Sequence, residues 1–190
     1  MEYLVTMTTH VPDGTPEGDV EQIRAAEAAR SRELAAQRHL LRLWRPPLRP
    51  GEWRTLGLFA AADDDQLEQV LATMPLRVWR HDQVEALTPH PDDPGRAATA
   101  GTSEFLTTLT SATPAGEAAR AGKLAGELAG TGQLLRLWRL PGTGRSLGLW
   151  QARDLAEMQA TIASQPLGPG LTVEITPLTA HPSDPVNAGG

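Results

Sequence analysis

The chain has 190 residues, 40% of them hydrophobic, with a formal net charge of −6 and no cysteine. That length admits one domain or two small ones, while the acidic balance and scattered arginines exclude the clustered cations that nucleic acid requires. Without cysteine there is no disulfide, thiolate nucleophile or Cys-based zinc site.

The opening "MEYLVTMTTHV" lacks a basic segment followed by an apolar core, so it does not read as a signal peptide. No run nears the roughly 18 consecutive apolar residues of a membrane span. A soluble cytoplasmic protein is expected. Residues 2–10, rich in β-branched side chains, predict a strand. Helical spacing follows over 17–37, with Val20, Ile23, Glu27 and Leu34 on one stripe. "HLLRLWR" at 39–45 and "WRTLGLFA" at 53–60 predict two strands, joined through Pro46, Pro47, Pro50 and Gly51. A second amphipathic helix is predicted over 63–74, where Leu67, Val70, Leu71 and Met74 share a face and three Asp stand at the start. A last strand is predicted near 80–88.

The same series then recurs. "EYLVTMT" at 2–8 matches "EFLTTLT" at 104–110, and "LLRLWR" at 40–45 stands again at 134–139. "TLGLF" at 55–59 matches "SLGLW" at 146–150, "QVLATMPL" at 69–76 matches "ATIASQPL" at 160–167, and "ALTPHPDDP" at 86–94 matches "PLTAHPSDP" at 177–185. Conserved order with a shrinking offset reads as a tandem duplication. The expected boundaries are 1–94 for the first unit, 95–103 for a small polar linker, and 104–186 for the second, with "VNAGG" as a frayed tail. The order β-α-β-β-α-β predicts an α+β, ferredoxin-like unit with one sheet face uncovered. Two such units packed sheet to sheet would form an intramolecular dimeric α+β barrel, a pseudo-dimer able to assemble further into homo-oligomers.

Several residues carry possible chemistry. Strand alternation puts Arg42 and Trp44 on one side of "LLRLWR", and Leu41, Leu43 and Arg45 on the other. Trp44 and Trp138 either fill the space between sheet and helix, or sit with an Arg along a cleft that binds a planar anion. Glu27 lies on the apolar stripe, where lost hydration raises a carboxyl toward the range of a proton shuttle. It either does so or snorkels and pairs with Arg24 or Arg30. Seventeen residues before each Trp of the repeated hexapeptide stand Glu27 and Ala121, so the acid belongs to the first unit only. His90 and His181, in "HPDDP" and "HPSDP", read as strand ends capping a turn. No HxH, HExxH or carboxylate cluster suggests a metal. "GTGRSLG" at 142–148 lies between strands rather than opening a helix, so it is not a phosphate loop.

The series "AAEAARSRELAAQ", "LLRLWR", "LGLF", "MPL" and "LTPHPDD" resembles the muconolactone Δ-isomerase family, closely in the first unit and more weakly in the second, degenerate one. The resemblance implies a cofactor-independent isomerase of aromatic catabolism. Such an enzyme transposes a C=C bond in a small carboxylated unsaturated lactone, by proton abstraction and redelivery through a dienolate. It implies Glu27 and Arg42 as catalytic residues and Arg24, Leu40, Trp44, Trp53, Pro75 and Leu76 as substrate-binding ones. The expected partner is a small carboxylate, with no metal, nucleic acid or membrane. The chain departs from the family where Leu40 replaces a Trp and Arg42 a His. Arg42 is able to stabilise an enolate but not to exchange protons. Alternatives on the same scaffold are a cyclase or tailoring enzyme for a polyketide-like substrate, and a non-catalytic small-ligand-binding barrel.

Overall fold

The computed structural model of the chain describes residues 1–99, 102–111, 132–142, 144–164 and 171–189. The fold is α+β and divides into two compact units, Met1–Ala86 with Ala180–Gly190, and Leu87–Thr179. No helix among the described residues is long and apolar enough to cross a membrane.

The first unit runs β1 (Glu2–Thr9), α1 (Glu17–Ala36), β2 (Leu40–Arg45), β3 (Arg54–Ala60), α2 (Asp64–Ala72), a 3₁₀ turn at Pro75–Trp79, and β4 (Arg80–Pro89), whose last three residues belong to the second unit. β3 is central. It pairs antiparallel with β1 from Glu2↔Ala60 to Thr8↔Arg54, and with β2 from Leu40↔Phe59 to Trp44↔Leu56. A register shift between Leu40 and Arg42 is the kind of irregularity that re-aims side chains at an edge. Tyr3, Val5, Leu34, Leu40, Phe59 and Leu71 are almost completely buried and form the core with Leu67 and Met74.

Local chemistry sets the helix ends. Asp63 caps α2 by accepting from Gln66 N at 2.8 Å, and Gln66 Oε1 accepts from Ala62 N at 2.6 Å. The first bond satisfies a donor that the helix start leaves open, and the second ties the preceding residue to the first turn. Just beyond α1 and its C-cap Gln37, Arg38 turns left-handed with a φ of 60°, and His39 N donates to Leu34 O at 2.8 Å to close the last turn. The expected apolar stripe of α1 is only partly realised. Ser31 and Leu34 are its buried residues, whereas Val20 and Ile23 are half-exposed. Further along the helix, Arg24, Glu27, Ala28 and Ser31 border a cavity.

The C-terminal segment is not a frayed end. Residues Pro185–Gly189 form a 3₁₀ turn in the first unit. His181 N donates to Leu43 O at 2.9 Å, Asn187 Nδ2 to His181 O at 2.9 Å, and Val186 N to Asp184 Oδ1 at 3.2 Å. Asp184, with a fully buried side chain, also accepts from Arg42 Nη2 at 3.1 Å.

The second unit holds β5 (Ser103–Ser111), β6 (Leu134–Leu140), β7 (Arg145–Ala152), α3 (Leu155–Ala163) and β8 (Leu171–Ala180, through Thr179). β7 pairs with β5 and β6, β5 also with β8, and β6 with the end of β4 at Thr88↔Arg139 and Pro89↔Trp138. Asp154 caps α3 through Glu157 N at 2.8 Å. Residues 96–99, expected as linker, are tied down in this unit: Arg96 N donates to Leu135 O at 2.8 Å and Thr99 N to Gln151 Oε1 at 2.7 Å. Asp93 accepts from Arg136 Nε at 3.0 Å and Leu137 N at 2.8 Å. The first arginine of each "LLRLWR" thus meets the last Asp of an "HPxDP" segment. Ala121 and the rest of 112–131 lie outside the described residues.

Gly57 and Gly148 occupy matched places in β3 and β7. A Cβ on Gly57 would fall against Phe59 Cε2 and 3.0 Å from Met7 Cε; on Gly148 it would lie 2.5 Å from Trp150 Nε1 and 2.8 Å from Thr107 Oγ1. Those last two atoms already form a buried 2.8 Å hydrogen bond. Gly57→Ala and Gly148→Ala are each expected to destabilise by about 1–3 kcal/mol, as over-packing of a tight interior does. Urea unfolding midpoints check this; unchanged midpoints would show that both sites relax freely.

Candidate functional site

The first unit encloses a cavity of about 450 Å³ between α1, the sheet, the Pro75–Trp79 turn and the C-terminal segment. Its inner wall is formed by buried Met7, Leu43, Met74 and Leu76 with Glu27 and Arg80. Its mouth carries the exposed side chains of Glu21, Arg24 and Arg45, with Trp53 and the turn His181–Pro182–Ser183.

Glu27 reaches the cavity from the middle of α1. Its Oε2 accepts from Leu76 N at 2.8 Å and its Oε1 from Arg80 Nη1 at 3.0 Å, with 12% of the side chain exposed. The 3₁₀ turn therefore supplies a backbone donor that fixes the carboxylate. Arg80, the first residue of β4, is 2% exposed and held from behind by Asp82: Nε to Oδ1 at 2.6 Å and Nη2 to Oδ2 at 3.0 Å. Both terminal nitrogens also touch Met74 Sδ at 3.7 Å. Arg77 ion-pairs with Asp82 and with Glu68, the latter at 2.8 Å. The order Glu27, Arg80, Asp82, Arg77, Glu68 alternates in sign, which lets these partly dry charges offset one another.

Burial raises the Glu27 pKa above the ordinary glutamate value. The Leu76 N–H and the Arg80 guanidinium pull it back, and Asp82 opposes them. Glu27 is then a more basic carboxylate than one in water, kept ionised by a neighbouring cation. An ionised carboxylate has about four lone-pair positions, so two accepted hydrogen bonds leave capacity for a substrate proton.

The sequence-expected residues separate into two groups. Arg24, Glu27, Trp53 and Leu76 line the cavity; Leu40, Arg42, Trp44 and Pro75 do not. Leu40 and Trp44 are core residues, 1% and 2% exposed. Arg42 is ion-paired to Asp184, with its guanidinium 4.8 Å from the Trp44 ring centroid. β2 alternation explains the split, because Leu43 and Arg45 face the cavity while Arg42 and Trp44 face away. Arg136 repeats the stacking on Trp138 at 4.7 Å, which marks Arg–Trp–Asp as a means of anchoring the chain.

Sequence reasoning missed Arg45, Arg80 and His181. The alternation already placed Arg45 beside Leu43. Arg80 carried no such signal, since its partner lies 53 residues away. His181 does shape a turn, with Nδ1 accepting from Ser183 N at 3.1 Å, and it also faces the cavity, with Nε2 3.5 Å from Arg45 Nη2.

At the matched positions, the second half of the sequence carries Ala118 for Arg24, Ala121 for Glu27, Gly144 for Trp53, Leu171 for Arg80 and Val173 for Asp82. It retains Arg136 and Arg139 at the places of Arg42 and Arg45, and each half carries one His-Pro-x-Asp segment, His90 to Asp93 in the first and His181 to Asp184 in the second. What anchors the chain is kept in both halves, whereas of the charged cavity residues Arg24, Glu27 and Arg80 are kept in one and Arg45 in both.

The muconolactone delta-isomerase family model matches residues 1–93 and again 105–184. The chain belongs to this family. Muconolactone Delta-isomerase of Acinetobacter baylyi (strain ATCC 33305 / BD413 / ADP1) is 30% identical over 91 residues, covering 48% of this chain and 92% of that protein. Among solved structures, a heme-binding protein from Thermus thermophilus superposes with a TM-score of 0.59 at 9% identity, covering 99% of this chain and 95% of the other. A chlorite dismutase variant of Candidatus Nitrospira defluvii gives 0.59 at 10% identity, covering 93% and 91%. At such identity the likeness is one of fold. Muconolactone delta-isomerase family membership bears on the chemistry, because the charged cavity lies within the first matched segment and the turn 181–183.

Proposed function

We propose that the protein is an isomerase acting on a small unsaturated lactone with a carboxylate arm, and that its one working pocket is the Glu27 cavity. The observation that carries this is a half-dry carboxylate set in a cavity of substrate size and fixed by a backbone N–H and an arginine. Glu27 removes a proton from the carbon next to the conjugated system and returns it further along the dienolate. Arg80 takes the part first considered for Arg42: its guanidinium lies beside Glu27 and offsets charge that develops on the lactone oxygen. Glu27 receives the proton in the same step, so the positive charge of Arg80 is then free to face the dienolate. The apolar wall of Met7, Leu43, Met74 and Leu76 keeps competing water low, which strengthens both interactions. The second half is a supporting unit in this reading, and the expected sheet-to-sheet packing of the two halves belongs to the same proposal.

The direct test incubates the protein with muconolactone and follows the olefinic protons by NMR. Protein-dependent movement of the double bond is expected; an unchanged spectrum at high protein concentration would sink the isomerase reading.

The pH profile follows from the direction of the Glu27 shift. The base works only when ionised, and burial raises its pKa. The acid limb of kcat/KM should therefore fall at a pH above that of an ordinary glutamate, with activity lost as pH drops through it. A limb at or below the ordinary glutamate value would contradict Glu27 as the base.

A further inference from the structure

We propose that the mouth of the cavity is a carboxylate-binding subsite built by Arg45, His181 and Arg24, which holds the acidic arm of the substrate while its ring lies against Glu27. This rests on the proposed function for the ring alone; the anion site stands on its own geometry.

The imidazole donor of His181 has a fixed direction. Ser183 N donates to His181 Nδ1 at 3.1 Å, so in the neutral ring the proton sits on Nε2. That Nε2–H lies 3.5 Å from Arg45 Nη2, itself a donor. Two donors side by side do not satisfy each other, and an oxyanion placed against both does. Burial together with the charges of Arg45 and Arg24 pushes the His181 pKa down to about 4, so the ring is a neutral donor at physiological pH.

Charge at the mouth points the same way. Neither Arg24 nor Arg45 has a carboxylate partner within ion-pair distance among the described residues, and Glu21, at the same mouth, has none either. Two arginines against one glutamate leave local positive charge in a chain whose net charge is −6, a pattern that draws an anion inward. Arg24 Cζ also lies 5.5 Å from the Trp53 ring centroid, a cation–π contact that favours its placement at the mouth.

The mouth is also preorganised. The His181 turn is pinned to β2 by His181 N to Leu43 O and by the Arg42–Asp184 pair. A donor fixed before the ligand arrives avoids the ordering cost that a mobile side chain incurs. In the second unit His90 and Arg139 stand at the places of His181 and Arg45, but Arg24 and Trp53 are replaced by Ala118 and Gly144. The three-donor arrangement therefore accompanies Glu27 and is absent where Glu27 is absent.

The test is calorimetric titration of wild type, Arg45→Gln and Arg24→Gln with muconolactone and with its methyl ester. Both arginines are exposed, so the variants should fold normally; His181→Gln serves as a third variant. Muconolactone is expected to bind wild type at least about 10-fold tighter than the ester, and each Arg→Gln change to erase about 10-fold of that preference, as charge-assisted hydrogen bonds do. The His181 Nε2 resonance should move on adding the acid and stay in place with the ester. Equal wild-type affinity for acid and ester, binding of neither, or acid selectivity untouched in both arginine variants would overturn the subsite. Selective binding without isomerisation would support the subsite and sink the isomerase reading. Isomerisation without selectivity would do the reverse.

Discussion

Arg42→Met is expected to destabilise the first unit by about 3–5 kcal/mol, the usual consequence of leaving one member of a buried ion pair without the other. The Asp184 side chain is completely buried and that of Arg42 is 16% exposed. Removal of the guanidinium leaves the Asp184 carboxylate with the backbone N–H of Val186 at 3.2 Å. Release of residues 181–189 from β2 would limit the loss, because a terminal segment opens at lower free energy than the whole unit. Faster amide exchange at His181 and Val186 would report that release. The double variant Arg42→Met/Asp184→Leu should recover much of the stability, since an apolar pair of similar volume removes the desolvation penalty along with the attraction. Denaturant unfolding of the two single variants and the double variant forms a mutant cycle. A change below about 0.5 kcal/mol for Arg42→Met, the range of an ordinary surface substitution, would show that the pair is not an anchor.

Glu27→Gln is expected to lower kcat by about 10² to 10⁴-fold, the range over which a positioned general base contributes. The substitution keeps an oxygen for the Leu76 N–H and removes only the capacity to take a proton. Its amide nitrogen would turn toward Arg80, placing donor against donor, so a modest loss of stability accompanies the loss of rate. Glu27→Asp separates the two effects: it restores the negative charge beside Arg80 but withdraws the carboxylate from Leu76 N. Activity of Glu27→Asp between wild type and Glu27→Gln, with a stability near wild type, is the expected order. A Glu27→Gln rate within a few-fold of wild type would remove Glu27 from the chemistry.

The elements of this chain were legible because they obey short-range rules. β1, β2, β3 and α2 were each expected within two residues of their observed ends, since period 2, period 3.6 and capping Asp63 are written locally. The site was legible only where it, too, was local. Glu27 stands out because an acid on a helix stripe has to be explained by something on that stripe. The stripe itself misled in one respect. Its apolar members Val20 and Ile23 are half-exposed, while Arg24, Glu27, Ala28 and Ser31 line a cavity, and a sequence pattern does not distinguish facing a core from facing a void.

Arg42 drew notice through composition, as an arginine beside a tryptophan in a repeated string. Its surroundings depend on Asp184, 142 residues later, and the retention of the same pairing by Arg136 and Asp93 identifies its part in the fold. Arg80 and His181 were silent for the opposite reason. Their partners, Glu27 and Arg45, are 53 and 136 residues away, and nothing in a single sequence announces such meetings. The two halves together supply what either alone does not: Arg24, Glu27, Trp53, Arg80 and Asp82, kept in one, mark the cavity, while the Arg42–Asp184 anchor is kept in both, as are Arg45 and His181 at the mouth.

In the proposed reaction Glu27 moves a carbon-bound proton of a lactone held in the first unit. Recovery of muconolactone after incubation with the wild-type protein in heavy water, followed by mass spectrometry, tests it most directly. The account predicts protein-dependent incorporation of deuterium at carbon, because a carboxylate in a cavity with an open mouth exchanges its proton with solvent between abstraction and return. Lactone recovered without deuterium and without isomerisation would contradict it.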